Sequence, residues 1–310
     1  MKLHSKKSGF PFTDQMVLSK PGSGVALVAG ATRGAGRAIA IELASAGMKV
    51  YVTGRSSGDK RSNMNRPETI EETAQMITAR GGQAVAIQVD HTRVDEVTRL
   101  AEQIESDNDG QIDLLVNDVW GGDPFTVWDK PFWEQDLGVG LAMLNNAVTS
   151  HLITSHAIVP LMVRRRRGLV IEVTDGVTHR WRGSFYYDLA KAAVNRLALG
   201  QAAELKPHGV VALALSPGFL RSEAMLDHFG VSESNWRDAI QKSRDFAVSE
   251  TPYFIGRAVV ALMRDPHVSS RAGKVFATWN LAREYGFTDV DGTQPHWGDY
   301  ARQVLGLDMG

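Results

Sequence analysis

Val25-Ala26-Leu27-Val28-Ala29-Gly30-Ala31-Thr32-Arg33-Gly34-Ala35-Gly36 passes from an unbroken apolar run directly into three spaced glycines. The apolar run Val25–Ala29 reads as a strand, and residues 36–46 read as an amphipathic helix that Gly47 ends. Glycines at a strand-to-helix turn permit positive φ and let a pyrophosphate come close to the backbone. The helix N-terminus beyond them offers unpaired N–H groups and partial positive charge. Gly30, Thr32, Arg33, Gly34 and Gly36 are therefore candidate phosphate-binding residues.

The same alternation continues outward from that turn. Strands are expected at 49–53, 84–89, Leu114–Asn117, 169–174, 210–215 and 274–277, with helices at 67–80, 94–106, 137–165 and 187–206. Several strands are apolar nearly throughout, as strands covered on both faces are. The pattern predicts an α/β fold: a doubly wound, Rossmann-like parallel sheet of about seven strands with helices on both faces. One domain is expected over residues 25–278, preceded by an N-terminal extension at 1–24. A helical insertion over the ligand edge is expected at about 222–264, and an irregular C-terminal tail at 279–310. The polar stretch 55–66 reads as a mobile loop.

Composition narrows the functional classes. The 310 residues carry 34 Lys+Arg against 35 Asp+Glu, a formal net charge of −1. That balance gives no electrostatic footprint for nucleic acid. With no cysteine, disulfides, thiolate nucleophiles and Cys-ligated metals are excluded, and a reducing compartment fits. No apolar run approaches a membrane-spanning length, so a soluble, cytoplasmic protein is expected. The histidines show no metal-ligand spacing, and no catalytic metal is expected. Arg164 to Arg167 reads as a solvated helix end favoured by the dipole.

Two further features point to nicotinamide chemistry. After the second strand comes Arg55, where NAD sites carry an acid for the ribose 2′-hydroxyl; Arg55 with Arg33 suits a 2′-phosphate instead, favouring NADP(H) over NAD(H). Tyr187 and Lys191 stand four apart on one helix face. A phenol titrates near ~10, and a nearby ammonium lowers that value. Tyr187 is then a plausible general acid for a carbonyl or base for an alcohol.

With these motifs in this order, the chain resembles the short-chain dehydrogenase/reductase family. The glycine pattern matches Gly30, Gly34 and Gly36. The family's adenine-contacting acid matches Asp90, and its Asn-Asn-Ala-Gly segment matches Asn117-Asp118-Val119-Trp120 in altered form. Tyr187 and Lys191 match the catalytic pair, while Pro217, Gly218 and Ser222 match the stretch that holds the nicotinamide carboxamide. The resemblance implies that Lys191 also binds the nicotinamide ribose. It further implies a homodimer or homotetramer through the long helix and the Tyr187 helix, acting on a small carbonyl or alcohol.

Two departures stand out. The family's active-site Ser is replaced, by Asp175 if strand ends are aligned or by Thr174 if residues are counted back from Tyr187. An ionised Asp175 would repel a developing oxyanion; a protonated one would donate to it. The relay Asn falls near Ala147, with only Asn145 and Asn146 close. Trp120, Trp128, Trp133, Trp181, Phe185, Tyr186, Phe219, Met225, Phe229 and Trp236 are candidates for an apolar pocket, with Asp118, Asp123, His179 and Arg182 as polar additions. The leading expectation is an NADP(H)-dependent oxidoreductase. A non-catalytic NADP(H)-binding sensor or scaffold of the same fold is the alternative, and a lyase or epimerase using the nicotinamide transiently is a third.

Overall fold

The computed structural model describes residues 24–58 and 66–307. The extension expected at 1–24, apart from Gly24, and the centre of the loop expected at 55–66 lie outside the described residues. Strands β1 (Val25–Ala29), β2 (Lys49–Gly54), β3 (Gln83–Gln88), β4 (Leu114–Asn117), β5 (Gly168–Val173), β6 (Val210–Ser216) and β7 (Val275–Ala277) form one sheet in the order β3-β2-β1-β4-β5-β6-β7. Every pairing is parallel, with Ala29 opposite both Thr53 and Asn117. The fold is the expected doubly wound sheet.

The intervening helices are α1 (Gly34–Ser45), α2 (Ile70–Ala79), α3 (Val94–Asp107), α4 (Leu137–Leu144) and α5 (Ser150–Arg165). They are followed by α6 (Phe185–Leu205), α7 (Glu223–Phe229), α8 (Pro252–Arg264), α9 (Thr278–Tyr285) and α10 (Trp297–Val304). The apolar run of β1 serves two cores at once. Ala26 and Val28 pack into the layer of α1 and α8, while Val25 and Leu27 pack into that of α3 and α5. A strand sandwiched in this way cannot afford a polar alternation, which is why its sequence reads as continuous.

Several boundaries differ from the sequence expectation for local reasons. Helix α2 starts at Ile70 rather than 67, because the Thr69 hydroxyl caps it by accepting from the Glu72 N–H at 3.1 Å. The apolar stripe over 137–165 is not one α-helix; α4 and α5 are joined by a π-helical turn at Asn145–Thr149. Of the stretch expected as an insertion, α7 lies at the cleft edge, but α8 packs Ile255, Ala258, Val259 and Leu262 into the main core against α1. The segment expected as an irregular tail contains α9 and α10. Their buried Trp279, Leu281, Ala282 and Ala301 supply an anchoring face. Among the described residues, no helix is long and apolar enough to cross a membrane.

The topology fixes where a ligand goes. From β1 the chain winds outward to β2 and β3, then crosses back to β4 on the other side. Loops after β1 and β4 therefore part in opposite directions, leaving a crevice outside the carboxyl ends of the strands.

Candidate active site

That crevice is a cleft of about 770 Å³, lined by residues following β1, β2, β3, β4, β5 and β6. Such a volume suits a dinucleotide-sized or drug-sized ligand. Its floor is the glycine turn. Gly30 holds φ +90°, and a Cβ there would lie 2.5 Å from the Asp118 carbonyl oxygen. Gly34 opens α1 with φ +54°, after an extended Arg33. Gly36 does not line the cleft; its bare Cα lets the start of α1 pack on the Gly30 carbonyl and on Asp118.

At the glycine-turn end, Gly30, Thr32, Arg33, Gly34 and Arg55 line the wall together. Glu223, from α7, accepts the Gly34 N–H at 2.9 Å, so a carboxylate sits at the helix N-terminus where an anion is favoured. Arg33 and Arg55 line the same cleft but have different neighbours. Arg33 faces Glu68 at 3.9 Å and lies near Arg66, whose guanidinium grips Glu68 and Asp227. Arg55 instead turns toward Asp90 and toward Gly121. Arg66 and Glu68 were missed because they lie past a polar loop with no periodicity; only their alternating charge hinted at them.

Asp90 lines the cleft and accepts from the Thr92 N–H and hydroxyl. Burial pushes its carboxyl up, but the Thr92 hydrogen bonds and the Arg55 charge outweigh that and hold it below its ordinary value. Asn117 is absent from the wall. It is wholly buried and donates to Ser155 and to Glu172, each at 3.0 Å. Glu172 also meets His151 at 2.7 Å, and His151 contacts the Val119 carbonyl, so this network braces the segment after β4 from behind.

The other end of the cleft joins residues that follow β4, β5 and β6. Tyr187 donates its hydroxyl to Asp175 Oδ2 at 2.6 Å, and both line the cleft. Thr174, though lining the same cleft, is buried and donates its hydroxyl to the Lys191 carbonyl at 3.0 Å. The side chain facing the phenol is therefore Asp175. Lys191 Nζ rests 3.9 Å from the centre of the Trp120 ring, which meets Tyr187 edge-on at 5.3 Å. Burial, then the Asp175 charge and hydrogen bond, hold the Tyr187 phenol well above its ordinary value. Burial lowers Lys191, against the raising influence of Asp175, Asp118 and Asp123. Burial pushes Asp118 up to about 7, opposed by Lys191, His151 and the Gly36 N–H.

Of the aromatic candidates, Trp120, Trp128, Trp181, Phe219 and Met225 reach the cleft, joined by Trp279 and Trp297. Trp133 is exposed, and Phe185, Tyr186, Phe229, Trp236 and His179 lie off the wall. Asn146 lines the cleft from the π-turn and donates to the Gly121 carbonyl at 3.3 Å, while Ala147 is buried. Pro217, Gly218 and Ser222 stand opposite, after β6.

Beneath Gly218 lies a residue the sequence did not reveal, because its partners are more than two dozen positions away. Glu250 accepts the Gly218 N–H at 3.0 Å and the Thr278 hydroxyl at 2.8 Å, while its other oxygen has no hydrogen-bond partner. Burial pushes this carboxyl up to about 8. An acid raised on folding holds its proton in the native state where the unfolded chain has released it. Its stabilisation is fully present below the unfolded value near ~4.3 and is lost as pH rises toward 8. Glu250→Gln should therefore gain stability relative to the parent between pH 5 and pH 8, read by urea unfolding. A difference independent of pH would show that Glu250 is not protonated in the fold.

A family model for the short chain dehydrogenase matches residues 24–229. Dehydrogenase/reductase SDR family member 1 of Mus musculus is 35% identical over 274 residues, covering 86% of this chain and 83% of its own. The 3-oxoacyl-acyl-carrier-protein reductase of a Synechocystis strain is 30% identical over 200 residues, covering 64% and 75%. A solved structure described as an NAD(P)-dependent gluconate 5-dehydrogenase of Beutenbergia cavernae, with NADP at low occupancy, is 25% identical with a TM-score of 0.65. It covers 84% of this chain and 97% of that one. An actinorhodin polyketide ketoreductase variant solved with NADPH shares the fold at 20% identity and a TM-score of 0.67, covering 82% and 95%. A crevice at the carboxyl ends of the strands, a Tyr–Lys pair lining it and these likenesses agree: the chain is a short-chain dehydrogenase/reductase, an oxidoreductase of the kind that interconverts C=O and CH–OH.

Proposed function

We propose that this protein is an NADP(H)-dependent oxidoreductase in which Tyr187 and Lys191 serve the hydride-transfer site. The observation that carries the reading is the meeting of Tyr187, Lys191 and Trp120 in the same cleft as the Gly30–Gly34 turn. The turn fits a dinucleotide because Gly30, Thr32, Arg33 and Gly34 line the cleft together at the N-terminus of α1, where the helix dipole favours an anion. In this reading Gly30, Thr32 and Gly34 hold the pyrophosphate, Arg33 takes the 2′-phosphate with Arg66 at hand, and Asp90 meets the adenine. Pro217, Gly218 and Ser222 hold the carboxamide, and Lys191 the ribose. When bound, the coenzyme supplies or accepts hydride.

Tyr187 moves the proton at the substrate oxygen, and Lys191 places a positive charge behind it. Asp175 takes the position the family gives to Ser. Exposed Leu137, Leu141 and Leu152 on α4 and α5, with Leu189 on α6, support assembly as a homo-oligomer. The alternative, a coenzyme-binding protein without turnover, draws on the commitment of the phenol proton to Asp175.

The test is coenzyme oxidation with a panel of ketones and aldehydes. Turnover with NADPH, at a higher kcat/KM than with NADH, is expected. Arg33→Ala should lower kcat/KM for NADPH by roughly 10–100-fold through lost bidentate phosphate binding, and change that for NADH by less than about threefold. Equal losses with both coenzymes would remove Arg33 from the 2′-phosphate. Coenzyme binding with no turnover of any carbonyl or imine would favour the non-catalytic alternative.

A further inference from the structure

We propose that the reacting end of the cleft is built for a cationic carbon–nitrogen double bond, an iminium ion, in preference to a neutral ketone. The inference rests on reading the cleft as a hydride-transfer site and extends its substrate class from C=O to C=N.

Hydride addition to a ketone puts negative charge on oxygen, and the site must present donors to it. Here the Tyr187 proton points to Asp175 and the Thr174 proton to the Lys191 carbonyl. Both of these hydroxyls, one after β5 and one in the first turn of α6, are committed elsewhere. The acceptor Asp175 stands where an oxyanion would need a donor, a sign of charge opposite to that requirement.

An iminium ion reverses each term. It is positive before reaction and neutral after it, and a carboxylate 2.6 Å from the phenol offers it a counter-charge. The titratable and charged groups around this end are Asp118, Asp123, Asp175 and Asp188 against Lys191, Arg180 and Arg182. Arg182 is bound to Asp188 at 3.0 Å, and Lys191 is drawn onto Trp120. Among the described residues no cation forms an ion pair with Asp175, although the Lys191 ammonium acts on it through space. Trp128, 5.4 Å from Tyr187, adds an indole at the cleft mouth, the ring type that best attracts organic cations.

The chemistry balances without a proton donor. The iminium carbon gains a C–H bond from hydride, the C=N π pair becomes the nitrogen lone pair, and the substrate is reduced to an amine. The reduced nicotinamide coenzyme gives up that hydride and is oxidised. The raised phenol of Tyr187, unhelpful for protonating an alkoxide, is no obstacle here.

The test uses the full chain with two arms. In the first, a quaternary, non-reducible N,N-dimethyl-tetrahydroisoquinolinium ion and neutral 1-tetralone are titrated calorimetrically onto coenzyme-free protein. The cation should bind at least about tenfold more tightly, and Asp175→Asn should erase that advantage. In the second, N-methyl-3,4-dihydroisoquinolinium and 1-tetralone are compared as substrates with NADPH. The iminium should be favoured by about 100-fold in kcat/KM, and Asp175→Ser should narrow the ratio by at least about tenfold. NADPH binding, followed by its fluorescence, confirms that each variant is folded. Equal cation affinity in the parent and Asp175→Asn, or a tetralone preference in the parent, would overturn the inference. Failure to bind NADPH at all would instead overturn the underlying hydride-transfer reading.

Discussion

Tyr187→Phe should lower kcat/KM for NADPH-dependent ketone reduction by about 10²–10⁴-fold, the usual contribution of a positioned acid or base. The affinity for NADPH should stay within about threefold, because only one oxygen is removed. The Phe ring keeps the contacts with Trp120 and Trp128 that Tyr187 makes at 5.3 and 5.4 Å. The loss should fall on kcat, since the hydroxyl acts on the reacting atom rather than on binding at a distance. Reduction of an iminium should suffer much less. Asp175 would lose its donor, so a stability loss of about 1–3 kcal/mol should accompany the change. Steady-state kinetics with coenzyme titration checks this; unchanged ketone turnover would remove Tyr187 from the chemistry.

Gly30→Ala should be the most damaging single methyl in the phosphate turn. The residue sits at φ +90°, where a side chain costs about 1–2 kcal/mol. Its Cβ would lie 2.5 Å from the Asp118 carbonyl oxygen and 2.9 Å from the Val119 nitrogen. Both are backbone atoms that cannot rotate aside, and overpacking of this kind costs about 1–3 kcal/mol. Together the terms amount to roughly 2–5 kcal/mol, or a fall in Tm of about 3–8 °C for a chain of 310 residues. The displaced segment also carries Trp120, on which Lys191 rests. NADPH affinity should therefore drop with stability. Calorimetric scans with and without NADPH test this; a Tm within about 2 °C of the parent would contradict the strain argument.

How much of this was legible in the sequence depended on whether the signal was local. The order of strands and helices was readable because β1, β4 and β6 are buried on both faces and cannot hide their apolar runs. Tyr187 and Lys191 were readable because one helical turn fixes their spacing. The π-turn at Asn145–Thr149 was not, since it leaves the apolar stripe on either side intact. Nor was the burial of Asn117: a residue at a strand end points into the cleft or into the layer behind it. Its partners Ser155 and Glu172 come from α5 and β5. The choice between Thr174 and Asp175 needed coordinates, because the loop 174–184 has no periodicity to count by. Arg66, Glu68 and Glu250 also have partners far along the chain, in Asp227, Arg33 and Gly218, and composition carries no trace of such pairings.

The central claim is that Tyr187, paired with Asp175, meets the reactive ring of a nicotinamide coenzyme in this cleft. The most direct measurement is a crystal structure of the full chain grown with saturating NADP⁺. The account predicts the adenosine end near Arg33 and Asp90, and the nicotinamide near Gly218 with its C4 edge turned toward the Tyr187 hydroxyl. A nicotinamide directed away from Tyr187, or a cleft still empty at saturation, would contradict it.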